Sequence, residues 1–163
     1  NGTGAKARRP LYTPEERVRR DATKWTLVQG ILAPIQFVVF LVSLYLVLRF
    51  LFTGEGESAA NISVVVKTLT LYTIMITGCI WEKVVFGKYL FADAFFWEDV
   101  VSMGVIFLHL AYVYALLQDA LSPQSLMVLA LVAYVTYFIN AAQFLLKLRA
   151  AGTAHSRQAV NIQ

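Results

Sequence analysis

The stretch CIWEKVVFGKYLFADAFFWEDV, residues 79–100, sets the carboxylates Glu82, Glu98 and Asp99 and the cations Lys83 and Lys88 between two segments apolar enough to sit in lipid. Charge at such a boundary is costly unless it faces a partner or a cavity. Whether these flanks are membrane spans, and how many more there are, decides the fold.

Of the 163 residues, 58% are hydrophobic and 15% charged, with a mean hydropathy of +0.62. That is more apolar than a soluble domain of this size. A helix crossing a bilayer needs roughly 20 mainly apolar residues, and residues 27–52, 61–86, 96–118 and 124–147 each supply them. The first window is too long, and too far along the chain, for a cleaved leader, so it is expected to persist as a span. Residues 1–26 then form a basic N-terminal arm, 27–147 the membrane domain and 148–163 a tail.

Cations cluster at one set of span ends. Lys6, Arg8, Arg9, Arg17, Arg19, Arg20 and Lys24 precede the first span, Lys83 and Lys88 divide the second from the third, and Lys147, Arg149 and Arg157 follow the fourth. Only Arg49 and Lys67 fall near the opposite ends. The positive-inside rule predicts cytoplasmic termini and a cytoplasmic central connection, which requires an even number of spans. Short connections, TGEGESAAN and DALSPQS, make successive helices antiparallel neighbours. The predicted fold is all-α, an integral membrane four-helix bundle. The arginine-rich arm adjoins a span and also carries acidic residues, so it is expected to rest on anionic lipid rather than bind nucleic acid.

Each span has a polar side. Gln29, Gln36 and Ser43 recur every seven positions, and Thr136, Asn140, Gln143 and Lys147 step by four, three and four, which places each set on one helical face. Tyr72, Cys79 and Glu82 gather in the second span, and Glu98, Ser102 and His109 in the third. Interhelical hydrogen bonding accounts for the hydroxyls and amides. It accounts less well for carboxylates, which are the default site candidates.

Glu98 and Asp99 open the third helix, whose dipole and free N–H groups favour an anion there. Glu82 closes the second, where the dipole disfavours one. The pattern predicts a neutral acid beside ionised carboxylates; the alternative for Glu82 is an ion pair with Lys83, Lys88 or Lys147. Trp81 and Trp97, in WEK and WED, are candidates for an interfacial aromatic belt. His109 is a candidate ligand for a pigment's magnesium, or else bonds a helix carbonyl. With one cysteine, Cys79, and no HxxxH or ExxH spacing, no protein-built metal centre is expected. Phosphate loops, nucleophile elbows and triad histidines are absent from the sequence.

The segments PLYTPEERVRRDATKWTLVQGILAPIQFVVFLVSL, VVKTLTLYTIMITGCIWEKVVFGKYLFADAFFWEDVVSM and YVTYFINAAQFLLKLRA closely resemble the vinyl-bacteriochlorophyllide hydratase family of phototrophic bacteria. The similarity covers roughly residues 10–150, with WEKVVFGKYLF and FFWEDV its most specific part. It implies a membrane lyase of bacteriochlorophyll synthesis that adds water across the C3-vinyl group of a magnesium chlorin, giving a 1-hydroxyethyl group. No cofactor is implied, since the magnesium belongs to the substrate. The implied location is the inner or intracytoplasmic membrane, alone, as a homo-oligomer or beside other pigment-synthesis enzymes.

The chemistry of the residues then assigns roles that the resemblance does not. Protonating the terminal vinyl carbon needs a neutral acid, here Glu82; stabilising the cation and taking a proton from water falls to Glu98 and Asp99. Trp81, Phe95, Phe96 and Trp97 are expected to pack on the ring, Lys83 or Lys88 to pair with its propionate, and Asn140 and Gln143 to orient water. His109 lies eleven positions beyond Glu98, about 16 Å along a helix, too deep to ligate magnesium while Glu98 touches the vinyl group. The competing reading is a pigment-binding scaffold or carrier using the same pocket; a small transporter or channel subunit would need a polar path to the outer face.

Overall fold

A computed structural model describes residues 10–162; Lys6, Arg8 and Arg9 of the arm lie outside them. Five helices follow in order: α1 (Pro14–Ala22), α2 (Lys24–Thr53), α3 (Glu57–Phe86), α4 (Phe96–Leu117) and α5 (Pro123–Val160), with a 3₁₀ turn, Asp93–Phe95, leading into α4. No strand occurs among the described residues. Four of the helices, α2 to α5, are long and apolar enough to cross a membrane; α2, α3 and α5 contain the first, second and fourth predicted windows, and α4 ends one residue short of the third.

Local signals set the helix ends. Thr13 and Glu16 form a reciprocal capping box before Pro14, which satisfies free N–H groups of the first turn. Ser122 caps α5 ahead of Pro123 by accepting the Ser125 N–H, without the reciprocal bond. Gly54 (φ 73°) and Gly87 (φ 82°) terminate α2 and α3 in the left-handed conformation, which only glycine adopts without penalty.

Packing is dense within the α2–α3 and α4–α5 pairs and sparser between them, so the bundle consists of two antiparallel hairpins laid side by side. Its outer faces carry large apolar groups such as Leu27, Phe52, Ile76, Phe107 and Val135. The polar groups lie inside: Gln36, Ser43, Lys67, Thr68, Glu82, Glu98, Asp99, Ser102, His109 and Asn140 are all buried. This inversion suits a lipid surround, where a polar group must find its partner in the protein.

The arm is built into the bundle. Tyr12 stacks on Phe86 at 5.7 Å, Arg20 covers the Tyr12 ring, and Arg19 donates from Nε (3.0 Å) and Nη2 (2.8 Å) to the Val85 carbonyl. That carbonyl lies in the last turn of α3, where no intrahelical donor remains. Thr26 donates to the Arg20 carbonyl and accepts from Trp81 Nε1 at 2.9 Å. Arg19 and Arg20, expected on lipid, are thus engaged by protein. The tail continues α5 to Val160, and its His155 accepts from Arg17 of α1. Arm, central connection and tail therefore share one end of the bundle.

Candidate active site

At that end the three carboxylates of the opening stretch converge, all buried. Glu82 projects from the last turns of α3, and Glu98 and Asp99 from the first turn of α4. The Glu82 and Asp99 carboxyls are buried neighbours, each close enough to act on the other's charge. Two buried carboxylates so placed repel each other when both are ionised, which favours a proton held between them.

The connection between α3 and α4 supplies the remaining bonds. Phe91 N–H donates to Asp99 Oδ2 at 2.9 Å, and Ala92 N–H donates to Glu82 Oε1 at 2.8 Å. Consecutive amides aim at neighbouring acceptors across a left-handed Phe91, with φ 59°. A bulky residue seldom adopts this conformation, and such strain concentrates at functional sites.

Glu98 is held separately. Lys147 of α5 reaches its Oε2 at 2.9 Å, so the ion pair proposed for Glu82 is made by Glu98 instead. Asn140 Nδ2 donates to the Glu98 carbonyl (2.9 Å) and to Gln143 Oε1 (3.4 Å), while Ser102 donates to Asn140 Oδ1 (2.8 Å). Asn140, expected to orient water, is occupied in tying α5 to the first turn of α4, and Gln143 is its partner.

Beside this cluster lies a cavity of about 450 Å³, within the usual range for small-molecule sites. Pro10, Leu11 and Glu16 of the arm line one side; Lys88, Ala92 and Lys147 line the other. Ala92 and Lys147 are the direct partners of Glu82 and Glu98, so the carboxyls stand one residue behind the cavity wall. Lys88 is free to face a ligand's acid, whereas Lys83 caps α3 through the Gly87 carbonyl at 2.9 Å.

The aromatic expectations divide. Trp81 and Phe95 pack against each other and against Phe86, filling space under the arm rather than offering a free face. Trp97 is 70% exposed: one position before Glu98 on the helix, it points out of the bundle, as an interfacial belt residue does. Phe96 is exposed beside it.

His109 is fully buried in the bundle core, its Nδ1 at 2.8 Å from the Val105 carbonyl and its ring against Tyr134. It bonds a helix carbonyl, as the alternative reading has it, and packed side chains leave no place for a macrocycle there. Lys67, set by sequence near an outer span end, is also fully buried, with Nζ 3.5 Å above the Tyr137 ring. The helix α3 begins at Glu57, four residues before the predicted window, so Lys67 stands well inside it. The backbone donors Phe91 and Ala92 had no sequence signal. No cluster of three or more potential metal-ligating residues occurs among the described residues.

Comparison with known proteins joins this geometry to a family. The profile of 2-vinyl bacteriochlorophyllide hydratase matches residues 12–150. A relative in Rhodobacter capsulatus bearing that name is 67% identical over 146 residues, covering 89% of this chain and 84% of its own. Another in Cereibacter sphaeroides, named identically, is 66% identical over 144 residues, covering 88% and 89%. No solved structure matches.

Proposed function

From the premise that this chain belongs to the 2-vinyl bacteriochlorophyllide hydratase family, we propose that the Glu82–Asp99 pair carries out the addition of water to the vinyl group of a bacteriochlorophyllide. The vinyl numbered 2 in the relatives' names is the substituent written C3 above. The observation that carries the assignment is the burial of both carboxyls together, held by the adjacent amides of Phe91 and Ala92 behind the cavity wall.

The pair starts with one proton. The α3 dipole works against an anion at Glu82 and the α4 dipole favours one at Asp99, so Glu82 holds the proton. Ala92 stands between Glu82 and the cavity, so this turn gives way as the substrate seats, and the proton then passes to the terminal vinyl carbon, whose π electrons form the new C–H bond. The cation left on the ring-bound carbon is delocalised into the macrocycle and stabilised by the adjacent carboxylates. A water oxygen adds to that carbon, and a carboxylate of the pair accepts the proton released. One water is consumed, the pair regains its proton, and no electrons enter or leave, so the reaction needs no redox cofactor.

Lys88 at the cavity wall is the natural partner for the substrate's propionate, and the macrocycle's magnesium enters with the substrate. The Glu98–Lys147 pair fixes the α4 terminus that carries Asp99. The cation-rich end faces the cytoplasm by the positive-inside rule, in the inner or intracytoplasmic membrane, where the pigment is made.

The test is purified protein in lipid nanodiscs incubated with a vinyl magnesium chlorin. A shifted absorption band with a product heavier by one water supports hydration. Stoichiometric binding with the vinyl group intact would instead identify a carrier.

A further inference from the structure

Lys67 of α3 and His109 of α4 are fully buried where the two hairpins meet, and neither Lys67 Nζ nor His109 Nε2 has a hydrogen-bond partner among the described residues. Tyr134 and Tyr137, one turn apart on α5, pack on His109 and Lys67 respectively, and Phe40 of α2 packs on both tyrosines. Gln36, one turn before Phe40, is buried with its Oε1 unpartnered among the described residues. All four spanning helices contribute.

These groups define what fits between them. A carbonyl oxygen only accepts, so the His109 Nδ1 that bonds Val105 carries the ring proton, and Nε2 presents a lone pair. Lys67 Nζ is a donor. A ligand joining the two must accept from the lysine and donate to the histidine. A halide or a carboxylate lacks the proton to donate; a water molecule has both functions, with a second proton for Gln36 Oε1. Buried polar atoms left unpaired in a low-dielectric interior are costly, and internal water with two to four polar partners is the common remedy.

We propose that Lys67 and His109 form an internal water-binding site that bridges the two hairpins at mid-depth. It is distinct from the rim carboxyls: Glu82 lies fifteen positions from Lys67 along α3, about 22 Å at the helical rise. The site joins α3 to α4 where backbone packing between the hairpins is sparse.

The test uses full-length protein in nanodiscs with ¹⁵N-labelled histidine. The chain has two histidines, and His155 is exposed, so the buried ring is identified by its slow exchange. Magnetisation transfer from water protons to His109 Nε2, unchanged when chloride is replaced by bromide, is expected. A dry Nε2, or a signal that follows the halide, would overturn the site. Independently, Lys67→Met and His109→Phe should each lower the thermal midpoint, while the double variant loses less than the sum, because no orphaned group remains. Additive losses would contradict a shared ligand. Should a variant fail to fold, the measurement on the unaltered chain still decides.

Discussion

Glu82 and Asp99, buried on different helices, are held by adjacent residues of a single loop: Ala92 N–H donates to Glu82 and Phe91 N–H to Asp99. Two acids seventeen positions apart are thereby brought to one place at the edge of a membrane bundle. The Phe91–Ala92 backbone does the positioning, so its geometry, rather than the Phe91 side chain, is what the site requires.

Replacing Phe91 separates the two. Glycine tolerates the left-handed conformation, so Phe91→Gly keeps both amides aimed and is expected to retain most turnover. Phe91→Pro cannot reach φ 59° and removes the N–H that bonds Asp99; misplacing the acids should lower turnover by roughly 10²-fold. Equal activity in the two variants would show that the loop amides do not matter.

Glu98 and Lys147 form a largely buried ion pair. Lys147→Met leaves a buried carboxylate without its partner and is expected to cost about 1–3 kcal/mol of stability. Adding Glu98→Gln removes the orphaned charge and should restore part of that loss. Denaturation of the single and double variants in matched detergent checks this; no recovery in the double variant would mean that Lys147 acts through its packing alone.

Trp97 carries the same sequence signal as Trp81, an indole before an acid, yet projects outward. Trp97→Phe should leave turnover within about twofold, since an aromatic ring at the membrane interface is conserved by the change. A large rise in KM would return Trp97 to the substrate.

The fold was legible because lipid demands an apolar outside, and the seven-residue spacing of Gln36 and Ser43 and the run Glu98, Ser102, His109 mark inward faces. Gln36, Ser43, Glu98, Ser102 and His109 are buried as their periodicity requires, while Gln29, the first member of the α2 set, is half-buried. What periodicity cannot give is the path of the connection between α3 and α4. The pairing of Glu82 with Asp99, and of Lys147 with Glu98, depends on that path, as does the left-handed turn at Phe91. Lys67 was misplaced because the α3 boundary was set four residues late, and a shift of that size moves a lysine from a span end into the core. Asn140 was found on the correct face, but its role depended on partners, Ser102 and the Glu98 carbonyl, that no spacing discloses.

The most direct measurement is vinyl hydration by Glu82→Gln in nanodiscs at matched folded protein. The amide keeps the shape and still accepts from Ala92, but it has no acidic proton to give. General acid catalysis contributes typically 10²–10⁴-fold, so turnover at least about 100-fold below the unaltered chain, with pigment binding retained, is expected. Hydration at the unaltered rate would contradict Glu82 as the acid.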